Sequence, residues 1–139
     1  MESALKKNEI VDAVRERLDV YAIYLFGSAA RNEQRLDSDL DIAFLSDQSY
    51  PPYDLFIYGE ELAGILHCDV DLVDMNQAST VMQKQVIGEG VLLLDERPYE
   101  RQLFTLRVLK EYAYLNEERA EVLEAYGFGG MAHGRRYYY

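Results

Sequence analysis

Cysteine is almost missing from this chain. Cys68 stands alone, so no disulfide can form within it and the fold must be held by its core. That usage fits a reducing compartment. Long apolar stretches are missing as well. No run approaches the roughly 18 residues that cross a bilayer, and the opening MESALKKNEIVDAVRERL alternates charged with apolar residues where a signal peptide would be continuously apolar. The expected setting is the cytoplasm, with no membrane partner. Positive charge is scarce: 14 Lys and Arg stand against 25 Asp and Glu, a net charge of −11. Between Asn32 and Asp74 eleven acids face one base, Arg35. Such a stretch repels a polyphosphate backbone, so direct nucleic-acid binding is not expected. It would repel a free nucleotide too, unless divalent cations sat among the carboxylates. Acidic surfaces commonly serve solubility alone; here the placement of the acids argues for more.

What remains is the make-up of one globular domain: 139 residues, 49% hydrophobic and 28% charged. Residues 3 to 19 predict an amphipathic helix, with Leu5, Ile10, Val14 and Leu18 near helical spacing. Val20 to Phe26, VYAIYLF, predicts a buried strand. A second strand is expected around Leu40 to Leu45, closed off by Pro51 and Pro52. A helix from about Tyr53 to Leu66 follows, with Leu55, Leu62, Ile65 and Leu66 as its inner face. Cys68 to Val73 predicts a third strand, Asn76 an N-cap for a short helix through Val86, and Val91 to Leu94 a fourth strand. Pro98 suits the first turn of a long helix to about Tyr126. The expected class is α/β (α+β), one mixed sheet flanked by helices, in a domain of residues 1–126. Residues 127–139, rich in glycine and tyrosine, read as a flexible tail.

The chemistry-bearing residues lie around the first two strands. Gly27-Ser28 closes the first, and Asp39-Leu40-Asp41 enters the second. Strand side chains alternate, so Asp39 and Asp41 share a face, about 7 Å apart. Beside apolar Ile42 and Phe44 they would repel each other without a counter-charge. Hard divalent cations supply one, and Mg²⁺ takes a few carboxylates together with substrate phosphates. A glycine with a hydroxyl neighbour at a strand end lets backbone N–H groups approach a phosphate. Asp71, between Val70 and Leu72, offers a third carboxylate from the third strand. Three acids around two metals is a geometry for in-line nucleotidyl or phosphoryl transfer.

The stretch GSAARNEQRLDSDLD, with a buried strand before it and VDLV after it, resembles the DNA polymerase β-like nucleotidyltransferases. The whole chain is similar to their minimal MNT branch, the antitoxins of HEPN–MNT toxin–antitoxin pairs. The resemblance covers roughly residues 1 to 95 and implies the nucleotidyltransferase fold. It implies that Gly27 and Ser28 hold the triphosphate of ATP, and that Asp39 and Asp41 ligate two Mg²⁺ ions. Asp71 would ligate the catalytic ion and help deprotonate the acceptor hydroxyl. Arg31 falls where many relatives carry an arginine that can reach a phosphate; a solvated helix residue is the alternative. Asn32 replaces the glycine common after that arginine, and asparagine tolerates the turn.

Asp69 is the rival of Asp71 for the third position, while Asp37 and Asp74 read as a loop acid and a strand-end acid. His67-Cys68 lacks a second ligand pair for zinc. The glycines of GFGGMAHG follow no strand and make no dinucleotide fingerprint, and Tyr137 to Tyr139 beside Arg135-Arg136 either dock a partner or are solvated. After its catalytic core so short a chain has little left to bind an acceptor. The resemblance therefore implies AMP transfer to a hydroxyl, tyrosine first, of a HEPN ribonuclease toxin. The alternatives are a small-molecule O-nucleotidyltransferase of the aminoglycoside-modifying kind and an antitoxin that neutralises by binding alone. If Asp71 is the third carboxylate, Asp71→Asn slows chemistry by several orders of magnitude with nucleotide affinity kept, and Asp69→Asn is mild. Single-turnover rates of the two variants check this, and the reverse ranking would show that Asp69 holds the role.

Overall fold

A computed structural model describes residues 2–27 and 39–125. Ser28, Arg31, Asn32, Asp37 and the segment 127–139 lie outside the described residues. Helix α1 (Glu2–Arg17) leads into strand β1 (Ala22–Phe26), and β2 is Leu40–Leu45. Then follow α2 (Pro52–Leu66), β3 (Val70–Asp74), α3 (Thr80–Glu89), β4 (Val91–Asp95) and α4 (Pro98–Ala125). Among the described residues the order of elements is the one expected from the sequence. Among the described residues no helix is long and apolar enough to cross a membrane.

The four strands form one mixed sheet in the order β3-β2-β1-β4. β1 runs antiparallel to both β2 and β4, and β2 runs parallel to β3. Two parallel neighbours cannot be joined by a tight turn, which is why α2 crosses over between them. Among the described residues β3 is therefore an edge strand, with β2 as its one strand neighbour.

Alternation along the strands divides the core in two. Ile23, Leu40, Ile42 and Phe44 pack with Val14, Leu18, Leu62 and Leu66 on the side covered by α1 and α2. Ala22, Tyr24, Phe26, Ala43 and Leu45 pack with Met75, Val86, Phe104 and Val108 on the side covered by α3 and α4. Phe44, Ile23 and Ile42 are fully buried; truncating any of them to alanine costs about 2–5 kcal/mol. Ile65, assigned to the inner face of α2, is instead 46% exposed. Its neighbour Leu66 turns inward because 100° per residue carries only one of an adjacent pair onto the core stripe.

The third helix begins later than Asn76 suggests. Its cap is Ser79, whose hydroxyl accepts the Met82 N–H at 3.1 Å. Asn76 is engaged elsewhere: its side-chain amide donates to the Ser46 carbonyl at 3.0 Å, and its N–H donates to Asp74 Oδ1 at 3.0 Å. Ser46 in turn donates to the Asp19 carbonyl, so the ends of β2 and β3 are tied to the chain leaving α1. His67 takes a left-handed conformation, φ 59°, and its N–H closes α2 on the Ala63 carbonyl. Histidine is among the residues that tolerate this region. The pair His67-Cys68 is thus a helix end followed by a half-buried thiol, and burial pushes that thiol up.

Among the described residues Asp74 is the one strand-end acid that is buried, 4% exposed, with Oδ2 buried and unpartnered. Burial pushes its carboxyl above the ordinary range, and the Asn76 N–H opposes the shift. A carboxyl raised in the folded state stabilises the fold below its unfolded value near 4, and that contribution is lost as pH climbs through the folded value. Asp74→Asn keeps the shape without the charge. It is expected to raise the melting temperature at pH 8 by roughly 3–5 °C, about 1 kcal/mol, with little gain at pH 4. Thermal melts at the two pH values check this; an equal gain at both would remove charge as the cause.

Candidate active site

The sheet brings together residues from three separated stretches of chain. β1 ends at Phe26, whose register partner on β2 is Asp41, and the register partner of Asp41 on β3 is Asp71. Gly27 follows with φ +73°, the left-handed region open to glycine at no steric cost. A Cβ at this position would overlap the Asp41 carboxylate. The missing side chain of Gly27 is thus the space in which the Asp41 side chain sits, and any larger residue would displace it.

Asp41 is half-buried, whereas Asp39 and Asp71 are exposed. Asp41 shares the sheet face of Ala43 and Leu45, the face covered farther along by α3 and α4. Ile42 and Phe44, expected to flank the carboxylates, point to the opposite side into the α1–α2 core. The neighbours of Asp41 on its own face are Phe26, its register partner, and Ala43, with the charges of Asp71 and Asp39 nearby. Burial raises its carboxyl most, followed by the negative charge of Asp71 and then that of Asp39. Asp69 lies just before β3, exposed, with its carbonyl accepting the Leu40 N–H at 2.8 Å.

Among the described residues no three His, Cys, Asp or Glu side chains close on a common point as a formed ion cage. Like charges left to themselves stand apart. The donors are nonetheless all hard carboxylate oxygens on adjoining strands, the chemistry that suits Mg²⁺. A cation among Asp39, Asp41 and Asp71 would remove two of the three causes that raise Asp41. The residues present fit a divalent ion. Reading from sequence missed Gly59, inside α2, where a Cβ would stand 3.4 Å from the Val70 carbonyl. A glycine within a helical pattern is the signal for such close packing.

Known proteins share this family and this fold. Residues 8–99 match the family described as Polymerase beta, Nucleotidyltransferase. The chain is 33% identical over 121 residues to the protein adenylyltransferase MntA of Shewanella oneidensis, spanning 86% of each. Its fold matches a chain of a toxin–antitoxin complex solved with AMP-PNP, at a TM-score of 0.78 and 32% identity, over 86% of this chain and 96% of that one. It also matches a chain of the tri-AMPylated Shewanella oneidensis HEPN toxin in complex with MNT antitoxin. There the TM-score is 0.74 and the identity 31%, over 88% of this chain and 96% of that one.

Gly27→Ala tests the seat of Asp41. Placing an L-residue in the left-handed region is expected to cost about 1–2 kcal/mol of stability. The displaced carboxylate should reduce nucleotidyl transfer at least as far as Asp41→Asn does. Melting curves and transfer rates of the two variants, measured side by side, check this. Wild-type transfer by Gly27→Ala would show that the seat is dispensable.

Proposed function

Because the chain belongs to the polymerase β nucleotidyltransferase family, we propose that it is a Mg²⁺-dependent protein adenylyltransferase and the antitoxin of a HEPN ribonuclease toxin. It moves AMP from ATP to a hydroxyl of that toxin, tyrosine in the first place. The observation that carries this reading is the Asp41 carboxylate seated against Gly27, in register with Asp71 and under its charge. Such a constellation repels itself until a substrate arrives with its cations. The relative that is a protein adenylyltransferase and the complex with a tri-AMPylated toxin support the choice of AMP and of a protein acceptor.

In this reading Asp39 and Asp41 would hold two Mg²⁺ ions, and Asp71 would hold one of them. When bound, the ions offset carboxylate and phosphate charge and polarise the phosphate under attack. Gly27, with Ser28 and Arg31, takes the triphosphate; a residue without a side chain lets backbone N–H groups come close to phosphate oxygens. Asp71 is exposed on its edge strand, where an incoming acceptor can reach it. It accepts the acceptor proton as the oxygen attacks the α-phosphorus. The new O–P bond forms, the bond to the bridging oxygen of the β-phosphate breaks, and pyrophosphate leaves.

Charge favours a protein partner of this kind. With a net charge of −11, the chain attracts a basic face, and a ribonuclease that grips RNA phosphates must present one. Incubated with the toxin and MgATP, the chain is expected to add the mass of one AMP unit, or a multiple of it, to the toxin. The encounter should slow as salt is added. Intact-mass spectrometry of the toxin decides the matter. Neutralisation at unchanged mass would mean that the antitoxin acts by covering its partner, and labelling of an aminoglycoside in place of the protein would mean a small-molecule enzyme.

A further inference from the structure

Resting on that reading, we infer that the acceptor segment of the toxin binds as an added strand along the outer edge of β3, in the groove between β3 and α2. The Leu40 N–H donates to the Asp69 carbonyl and the Met75 N–H donates to the Phe44 carbonyl. Residues 69, 71, 73 and 75 therefore turn their amide groups toward β2. Along a strand these directions alternate, so Val70 and Leu72 turn theirs outward, to the side where no strand is paired among the described residues and where Gly59 of α2 lies beside the Val70 carbonyl. An edge of this kind is a template for another chain.

The edge opens into a groove of about 460 Å³ whose far wall is the flank of α2. Leu55, Phe56 and Ala63 give that wall an apolar character, and Gly59 keeps it low beside the Val70 carbonyl. Phe56 is 62% exposed, an aromatic side chain left at the rim. Glu60, Asp69 and Asp71 line the same groove. The occupant is accordingly an extended segment with basic side chains and apolar contacts to α2. Main-chain bonds supply affinity and alternate side chains supply selectivity.

Continuity with the catalytic residues favours this occupant over any other. Directly opposed residues on neighbouring strands project to the same face, with Cβ atoms about 5 Å apart. The residue paired with Asp71 would thus share the face of Asp71 and of its register partner Asp41. A long side chain ending in a hydroxyl, as tyrosine does, can lean from that position across Asp71 toward the seat of the transfer. The groove delivers the acceptor to the acid that takes its proton.

The test uses the full chain, its HEPN toxin partner and amide hydrogen exchange. Complex formation is expected to slow exchange of the Val70 and Leu72 amides by about tenfold or more. Phe56→Asp, a change at an exposed position, is expected to slow AMP transfer at sub-saturating toxin by about tenfold, with MgATP affinity and melting temperature unchanged. Leu106→Asp on the exposed face of α4 should transfer normally. Unchanged exchange at Val70 and Leu72 in the complex overturns the inference, as does a Phe56→Asp chain that transfers at the wild-type rate. Protected amides without any AMP transfer by the wild-type chain would uphold the docking and count instead against nucleotide transfer.

Discussion

Asp41 occupies a place where a side chain of its own neighbour would otherwise be. Its carboxylate fills the gap left by Gly27, half removed from water, with Asp71 across the parallel ladder and Asp39 on the same strand face. The free chain has only poor ways to relieve that crowding. Protonation answers it in part, because burial and the charges of Asp71 and Asp39 raise the Asp41 carboxyl. A divalent cation answers it fully, and in doing so provides the charge that a triphosphate needs in order to approach so acidic a surface. Stability of the empty fold and readiness for substrate therefore pull against each other at one side chain.

The rest of the architecture serves to hold that crowding in register. The antiparallel pairing of β1 with β2 fixes Gly27 beside Asp41, and the crossover through α2 fixes Asp71 beside it from the other side. Two apolar layers, one under α1 and α2 and one under α3 and α4, clamp the sheet so that the strands cannot slide apart. A slip of one residue would send every carboxylate to the wrong face. Polar ties at the far ends of β2 and β3, through Ser46, Asn76 and Asp74, hold the same register where no catalytic residue can.

Much of this was legible in the chain itself. The run VYAIYLF, the alternation through β2 and the prolines before α2 and α4 are strong local signals, and the elements stand where they point. The pattern of Gly27-Ser28 and Asp39-Leu40-Asp41 named the region of the site, although Ser28 and Arg31 lie outside the described residues. What stayed hidden depends on which side of the sheet a neighbour lies. In the sequence Ile42 and Phe44 stand next to Asp41, yet alternation sends them into the other layer. Asn76 and Ser79 are both good capping residues, and the choice between them was made by the Ser46 carbonyl, 30 positions away in sequence. Asp74 looked like an ordinary strand-end acid because burial is a property of the packed layers. The groove beside Gly59 was invisible for the same reason, since only the sheet order makes β3 an edge.

That order has a bearing on how the molecule wears out. The third carboxylate is carried by a strand held by one strand partner only, while Asp41 lies on a central strand and Asp39 just before it. Edge strands fray at lower cost than central ones. Brief detachment of β3 would remove Asp71 while β1, β2 and β4 remain paired and the chain still counts as folded by any measure of its bulk. Working lifetime is then set by the breathing of five residues at a margin, and a neighbour lying along that margin prolongs it.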